Sequence, residues 1–173
     1  MGFNLERDTE ILQRTPSVLR SLLSGLGDAW LMSNSGSDTW SPTEIASHYL
    51  HNELNDWIPR LRWILDRGEA EPFPPYDPKG NRDLADLALA EVLDRFETAR
   101  RASLDELRTR LTPGVLSRRG THPALGLVTL DQMLCAWVVH DLHHIAQIAR
   151  TLACQRADDV GPWVEYLSIL RRR

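Results

Sequence analysis

The sequence predicts an all-α fold, a four-helix bundle with a long crossover between the second and third helices and a short C-terminal helix. Three observations predict it. Apolar residues recur at spacings of three and four along four long segments. Two of those segments open on a Ser/Thr-x-x-Glu/Gln capping signature. No stretch of useful length alternates apolar and polar residues as a half-buried strand does.

The first helix carries Ile11, Leu12, Thr15, Val18, Leu19, Leu22, Leu23 and Leu26 on one face. Pro16 interrupts it, so the spacing predicts either a kink there or a helix that starts at Thr15 with Pro16 in its first turn. Gly25 and Gly27 weaken its end. The second helix opens at "WSPTEI", with Ser41 as N-cap, Pro42 at the first position and Glu44 at the third. Trp40 and Ile45 stand where a hydrophobic staple would close. Its pattern extends to about Asp66 and stops near Gly68.

"GEAEPFPPYDPKG", with its prolines and glycines, reads as a loop. A helix of about 25 residues is roughly 37 Å long. A loop of about 14 residues reaches about 46 Å when extended, so it can recross the bundle. The third helix is expected from about Asn81 to Arg110, with Leu84, Ala88, Val92, Phe96, Ala99, Ser103 and Leu107 on one face. "TPGVLSRRGTHPALGLV" then reads as a loop. Thr129 and Gln132 form the second capping box, and the fourth helix runs to about Arg156. Pro162 opens the short last helix, "PWVEYLSIL".

At 173 residues the chain is expected to form a single domain, 1–173, with a core that needs no staples. The net charge of −4 argues against a nucleic-acid surface, and the final "RRR" reads as a solvated tail. Cys135 and Cys154, on one helix, would lie roughly 28 Å apart, far beyond the ~7 Å a disulfide allows. Lone thiols, no leader pattern at the N-terminus and no apolar run of spanning length predict a cytoplasmic protein without membrane contact.

The chemistry concentrates in "VVHDLHHIAQ". On a helix, His140 and His144 stack on one face, whereas His143 points away from the core. An i, i+4 histidine pair can chelate one ion. The bland alternative is a pair of boundary histidines. A metal site needs at least one more ligand, and His48 and His51 on the second helix are the candidates. Taking Ala46, Leu50, Leu54, Trp57, Leu61 and Ile64 as that helix's stripe, periodicity slightly prefers His51. His122 reads as a turn residue.

Asp141 falls on the apolar stripe itself, where a carboxylate needs a partner. That partner is either the free ring N–H of a ligating histidine or an arginine or tryptophan donor. "HDLHH" also invites comparison with the H-E-x-x-H zinc proteases. Asp141 stands in place of their glutamate, and its shorter side chain reaches less far. No phosphate loop and no Gly-x-Ser-x-Gly elbow is present.

"WSPTEIASHYLHNE" and "VTLDQMLCAWVVHDLHHIAQIAR", with its H-x-x-x-H-x-x-Q pattern, together resemble the DinB-like (DinB/YfiT-type) metalloprotein superfamily. "PFPPYDP" and "GTHPALGLVTL" resemble its loops, so the likeness spans nearly the whole chain. The resemblance implies a four-helix bundle with a parallel middle pair, usually a homodimer. It also implies one divalent ion held by His48, His140 and His144, with Gln147 near the site. Relatives of this kind include thiol-dependent transferases or isomerases, so the resemblance implies first a metal-dependent thiol S-transferase, with a small-molecule substrate and a low-molecular-weight thiol. A three-histidine ion can activate such a thiol, or water for a hydrolase. Three imidazoles suit zinc or nickel, and iron also. The competing expectation is a non-catalytic dimeric binding or stress-response module whose metal is structural or absent.

Overall fold

Three of the four long helices open on a side chain that caps their first backbone donors. The computed structural model describes residues 2–36, 39–77, 79–84 and 86–171, with the side chains at 82 and 83 left aside. The last two arginines of the tail lie outside the described residues. Helix α1 (Leu5–Leu23) is capped by Asn4, whose carboxamide oxygen accepts from the Arg7 N–H at 2.8 Å. It therefore starts well before Thr15 and continues past Pro16. The proline has no N–H for the Leu12 carbonyl. Arg100 supplies the missing donor, its Nη1 lying 2.8 Å from that oxygen.

A short α2 (Asp28–Leu31) leads to α3 (Pro42–Asn55), which opens on the expected capping box. Ser41 N–H donates to Glu44 Oε2 at 2.8 Å, and Glu44 N–H donates to Ser41 Oγ at 3.3 Å. The expected single helix to Asp66 is two. The chain breaks at Asp56 (φ −117°, ψ −68°) and resumes as α4 (Trp57–Asp66). Pro59 explains the break, because it denies the Asn55 carbonyl its donor.

The third long helix also starts later than expected. Gly80–Leu84 is a 3-10 turn, and α5 runs Leu89–Arg110. The 3-10 turn is tied back to α3 by Asn81 Nδ2, which donates to the Glu44 carbonyl at 3.2 Å. The segment expected to be pure loop before the fourth helix holds a hairpin. Strands β1 (Arg119–His122) and β2 (Gly126–Thr129) pair antiparallel, with Arg119 opposite Thr129 and His122 opposite Gly126. Strands of four residues are too short to register as alternation, and Gly126 at φ +74° turns the chain. Phe73 N–H donates to the Thr121 carbonyl at 2.8 Å, so the crossover is laced to this hairpin.

Helix α6 (Leu130–Cys154) opens on the second capping box, Thr129 and Gln132, as expected. The C-terminal segment is two 3-10 pieces, Gly161–Tyr166 and Ser168–Leu170, rather than an α-helix. The bundle is formed by α1, α3–α4, α5 and α6. Among the described residues no helix is long and apolar enough to cross a membrane.

The core falls into two apolar clusters. One holds Leu12, Trp57, Leu61, Leu104, Leu134 and Trp137. The other holds Leu19, Leu50, Val92, Phe96 and Ile148. On α5, Arg100 sits between Phe96 of one cluster and Leu104 of the other. On α6, Asp141 sits between Trp137 and Ile148, and on α3, Glu53 sits between Leu50 and Trp57. A polar layer thus divides the core, and the histidines lie beside it.

Candidate metal centre

His48 comes from α3, and His140 and His144 come from α6. One ring nitrogen from each lies within 4.8 Å of the others. The ring centroids are 5.5 Å apart for His48 and His140, 4.7 Å for His48 and His144, and 4.4 Å for His140 and His144. Among the described residues this is the one group of three or more such side chains that could hold an ion. His51, which periodicity slightly preferred, is elsewhere. Its Nε2 donates to the Asp77 carbonyl at 2.9 Å, and its ring lies beside Tyr76.

Hydrogen bonds fix which nitrogens face inward. Gln147 Oε1 accepts from His144 Nδ1 at 2.7 Å, which leaves the His144 Nε2 lone pair free. Asn52 Nδ2 donates to the Nε2 of His48 and to the Nε2 of His140, both at 2.8 Å. The two lone pairs therefore point at one shared position, held by a single amide nitrogen. Burial pushes the His144 pKa down to about 4, with His140 adding to the effect. At neutral pH this ring is uncharged, which ligation requires. An imidazole set with inward lone pairs fits a divalent transition ion.

The surroundings are aromatic. Trp40 lies 4.5 Å from the His48 ring, and Trp57 stands edge-on to His140 at 5.1 Å. The Tyr49 hydroxyl donates to the Asp141 carbonyl. Of the two partners considered for Asp141, the structure provides the arginine. Arg100 Nη1 and Nη2 lie 2.6 Å and 3.2 Å from the two carboxylate oxygens, whereas His140 Nδ1 is 3.9 Å away, beyond hydrogen-bond reach. Arg100 also donates to Glu53 through Nε at 3.0 Å.

Burial pushes the Asp141 pKa upward, but Arg100, with His140 and Thr15 adding to it, holds the carboxyl below its ordinary value. For Glu53 burial wins, and the pKa is raised despite Arg100. Burial opposes the charge on Arg100 as well, yet Asp141 and Glu53 hold its pKa above the usual value. Asp56, at the helix break, is also buried; burial raises its pKa, while Arg60, His140 and His51 pull it back.

A cavity of about 720 Å³ opens beside the cluster, lined by Trp40, Glu44, Lys79, Asn81, His144 and Gln147 among others. His143, exposed as expected, reaches its rim. His122 sits in β1, its Nδ1 accepting from the Ala124 and Leu125 N–H groups in the turn. Cys135 and Cys154 are free and half-buried, and burial raises the Cys135 thiol pKa.

Asn52, Glu53 and Arg100 were not singled out from the sequence, although the signal was there. Asn52 is one helical turn beyond His48. Arg100 continues the spacing Val92, Phe96, Leu104 down the middle of an apolar stripe, where an arginine needs partners.

Fold and site together define a helical bundle with a buried three-histidine cluster at the edge of a polar cavity. The DinB superfamily profile matches residues 11–148, and the chain belongs to that superfamily. It is 27% identical over 148 residues to YfiT of Bacillus subtilis, named as a candidate metal-dependent hydrolase, covering 80% of this chain and 79% of that one. The solved structure of YfiT, described as having an unusual four-helix bundle topology, superposes with a TM-score of 0.75. At 24% identity over 87% of this chain and 86% of that one, this shows the fold alone. A second four-helix bundle protein, TT2238, superposes with a TM-score of 0.59 at 26% identity, over 86% of this chain and 100% of that one.

Proposed function

We propose that this chain is a metal-dependent enzyme in which His48, His140 and His144 hold one divalent ion, zinc or nickel with iron next, and that it hydrolyses a small polar molecule. One observation carries the reading: one ring nitrogen from each of three imidazoles, on two helices, lies within 4.8 Å of the others beside a cavity of about 720 Å³. The volume lies within the usual range of small-molecule sites. The name of the Bacillus subtilis relative supports hydrolysis as the reaction.

When bound, such an ion supplies Lewis acidity, polarising a substrate oxygen and making water nucleophilic near neutral pH. The chain's own residues do the rest. Gln147 holds the His144 tautomer and ring plane, as outer hydrogen-bond partners of ligating histidines do. Arg100, through Asp141, fixes the turn of α6 that carries His140. Trp40 and Trp57 shield the imidazoles from bulk water. Lys79, Asn81 and Glu44 line the cavity and supply polar contacts for orienting a substrate.

Thiol S-transfer is the second reading. A low-molecular-weight thiol takes the place of water, and the size of the cavity supports it, leaving room for a thiol beside an electrophile. Protein reconstituted with zinc or nickel is the material for the test, assayed against a panel of esters, amides and lactones with and without a small thiol. Hydrolysis without thiol, abolished by a chelator and by His140→Ala, is the expected result. Turnover that needs the thiol selects the second reading. Turnover unchanged in His140→Ala rejects both.

We further propose that the protein works as a homodimer. Trp163 and Tyr166 near the C-terminus are 70% and 82% exposed, and such aromatic exposure supports a covered surface. Light scattering at micromolar concentration checks it, with a monomeric mass as the contrary outcome.

A further inference from the structure

Asn52 stands at the centre of the histidine cluster, and its carboxamide is only half satisfied. Its side chain is 3% exposed. The nitrogen end serves two imidazoles, with Nδ2 at 2.8 Å from the Nε2 of both His48 and His140. The oxygen end has no hydrogen-bond partner among the described residues. A buried amide oxygen without a partner is costly, and native structures rarely leave one so.

An ion bound between the imidazoles and the amide claims both Nε2 lone pairs. The Asn52 NH2 group then loses both of its acceptors at once, and its hydrogens face a cation. At 3% exposure the side chain has little access to bulk water. A half-turn of the amide about its last torsion exchanges nitrogen and oxygen, and the two ends are near-isosteric. That single rotation moves the N–H donors off the cation and gives the orphaned oxygen a partner. Neutral carbonyl oxygens are accepted ligands of divalent ions, and three imidazoles alone leave a coordination position open. Asn52 also lies one helical turn beyond His48 on α3, so both reach the same point from one helix face.

We propose that Asn52 is a fourth protein ligand of the ion, through Oδ1, and that the amide acts as a rotary stand-in, hydrogen-bonded to the histidines without metal and ligating with it. This rests on the metal site proposed above.

The probes are cobalt(II), whose visible spectrum reports the ligand set, and zinc by competition titration. Both are applied to the full chain and to Asn52→Leu, Asn52→Asp and His140→Ala, with metal-free thermal melts as a check on folding. The expected result is at least about tenfold weaker binding in Asn52→Leu with an altered cobalt spectrum, since even outer-sphere partners contribute that much. Asn52→Asp, which keeps an oxygen and adds charge, should bind more tightly than wild type, with its own spectral shift.

Wild-type affinity and an unchanged cobalt spectrum in Asn52→Leu overturn the proposal, as does tighter binding there. If Asn52→Leu does not fold, Asn52→Asp decides: a carboxylate that changes neither affinity nor spectrum is not at the ion. Failure of the wild-type chain to take up either metal rejects the metal site itself, an outcome distinct from failure of the Asn52 assignment alone.

Discussion

Arg100 shows how much a single side chain organises. It donates to Asp141 on α6, to Glu53 on α3 and to the Leu12 carbonyl on α1, from a position 2% exposed on α5. Removing one partner of a buried ionic network leaves charges without compensation, which costs about 3–5 kcal/mol. Arg100→Met is therefore expected to lower unfolding stability by about that amount in urea titrations. Adding Glu53→Gln and Asp141→Asn should recover part of it, because the orphaned charges go too. A loss below about 1 kcal/mol in the single variant would show that the network contributes little.

His144 sets a pH dependence whose sign follows from its pKa, held near 4 in the fold against 6.5 for the ordinary side chain. Between those values only the unfolded chain takes up the proton. Stability of the metal-free protein should therefore fall as pH drops through that window and level off below it. His144→Gln should flatten that part of the profile, as read from urea midpoints at several pH values. An equal slope in the variant assigns the effect to other groups.

At the scale of elements, helix caps and the i, i+4 histidine pair were legible in the sequence because both depend on neighbours within one turn. What reads poorly is what depends on two elements. The slight preference of periodicity for His51 arose because one stripe was drawn from Ala46 to Ile64 across a helix that breaks at Asp56. Leu54, counted on that stripe, is 53% exposed. The buried face of α3 is broader than that stripe: Ala46 and Leu50 are joined by Ile45, Tyr49, Asn52 and Glu53, and the face takes in His48. Pro59 was the visible sign of the break. Pro16 had the opposite outcome. The helix survives it because a donor from α5, far away in sequence, serves the freed carbonyl.

The hairpin was illegible for a related reason. Its strands are held by contacts to α4 and the crossover rather than by their own pattern. A Cβ at Gly120 would meet Phe73 Cε1 at 2.6 Å and Ile64 Cγ1 at 2.8 Å. Gly120→Ala is expected to cost about 1–3 kcal/mol through overpacking. The loss should appear as faster amide exchange in residues 119–129, and unchanged exchange there would contradict the close packing.

For the whole molecule, the two apolar clusters and the polar layer between them explain why the site is where it is. The clusters hold the ends of the bundle, while the layer carries side chains that must meet across helices. The histidines occupy the edge of that layer, where α3 and α6 face the cavity. Four-helix architecture followed from sequence periodicity, whereas the dividing layer required knowing which helices touch.

Everything proposed for the site depends on the three histidines binding one divalent ion. The most direct measurement is elemental analysis of dialysed protein after exposure to equimolar zinc and nickel, for wild type and for His48→Ala, His140→Ala and His144→Ala. About one ion per wild-type chain and a marked loss in each variant are expected. Full metal content in any one variant, or no retained metal in the wild type, would contradict it.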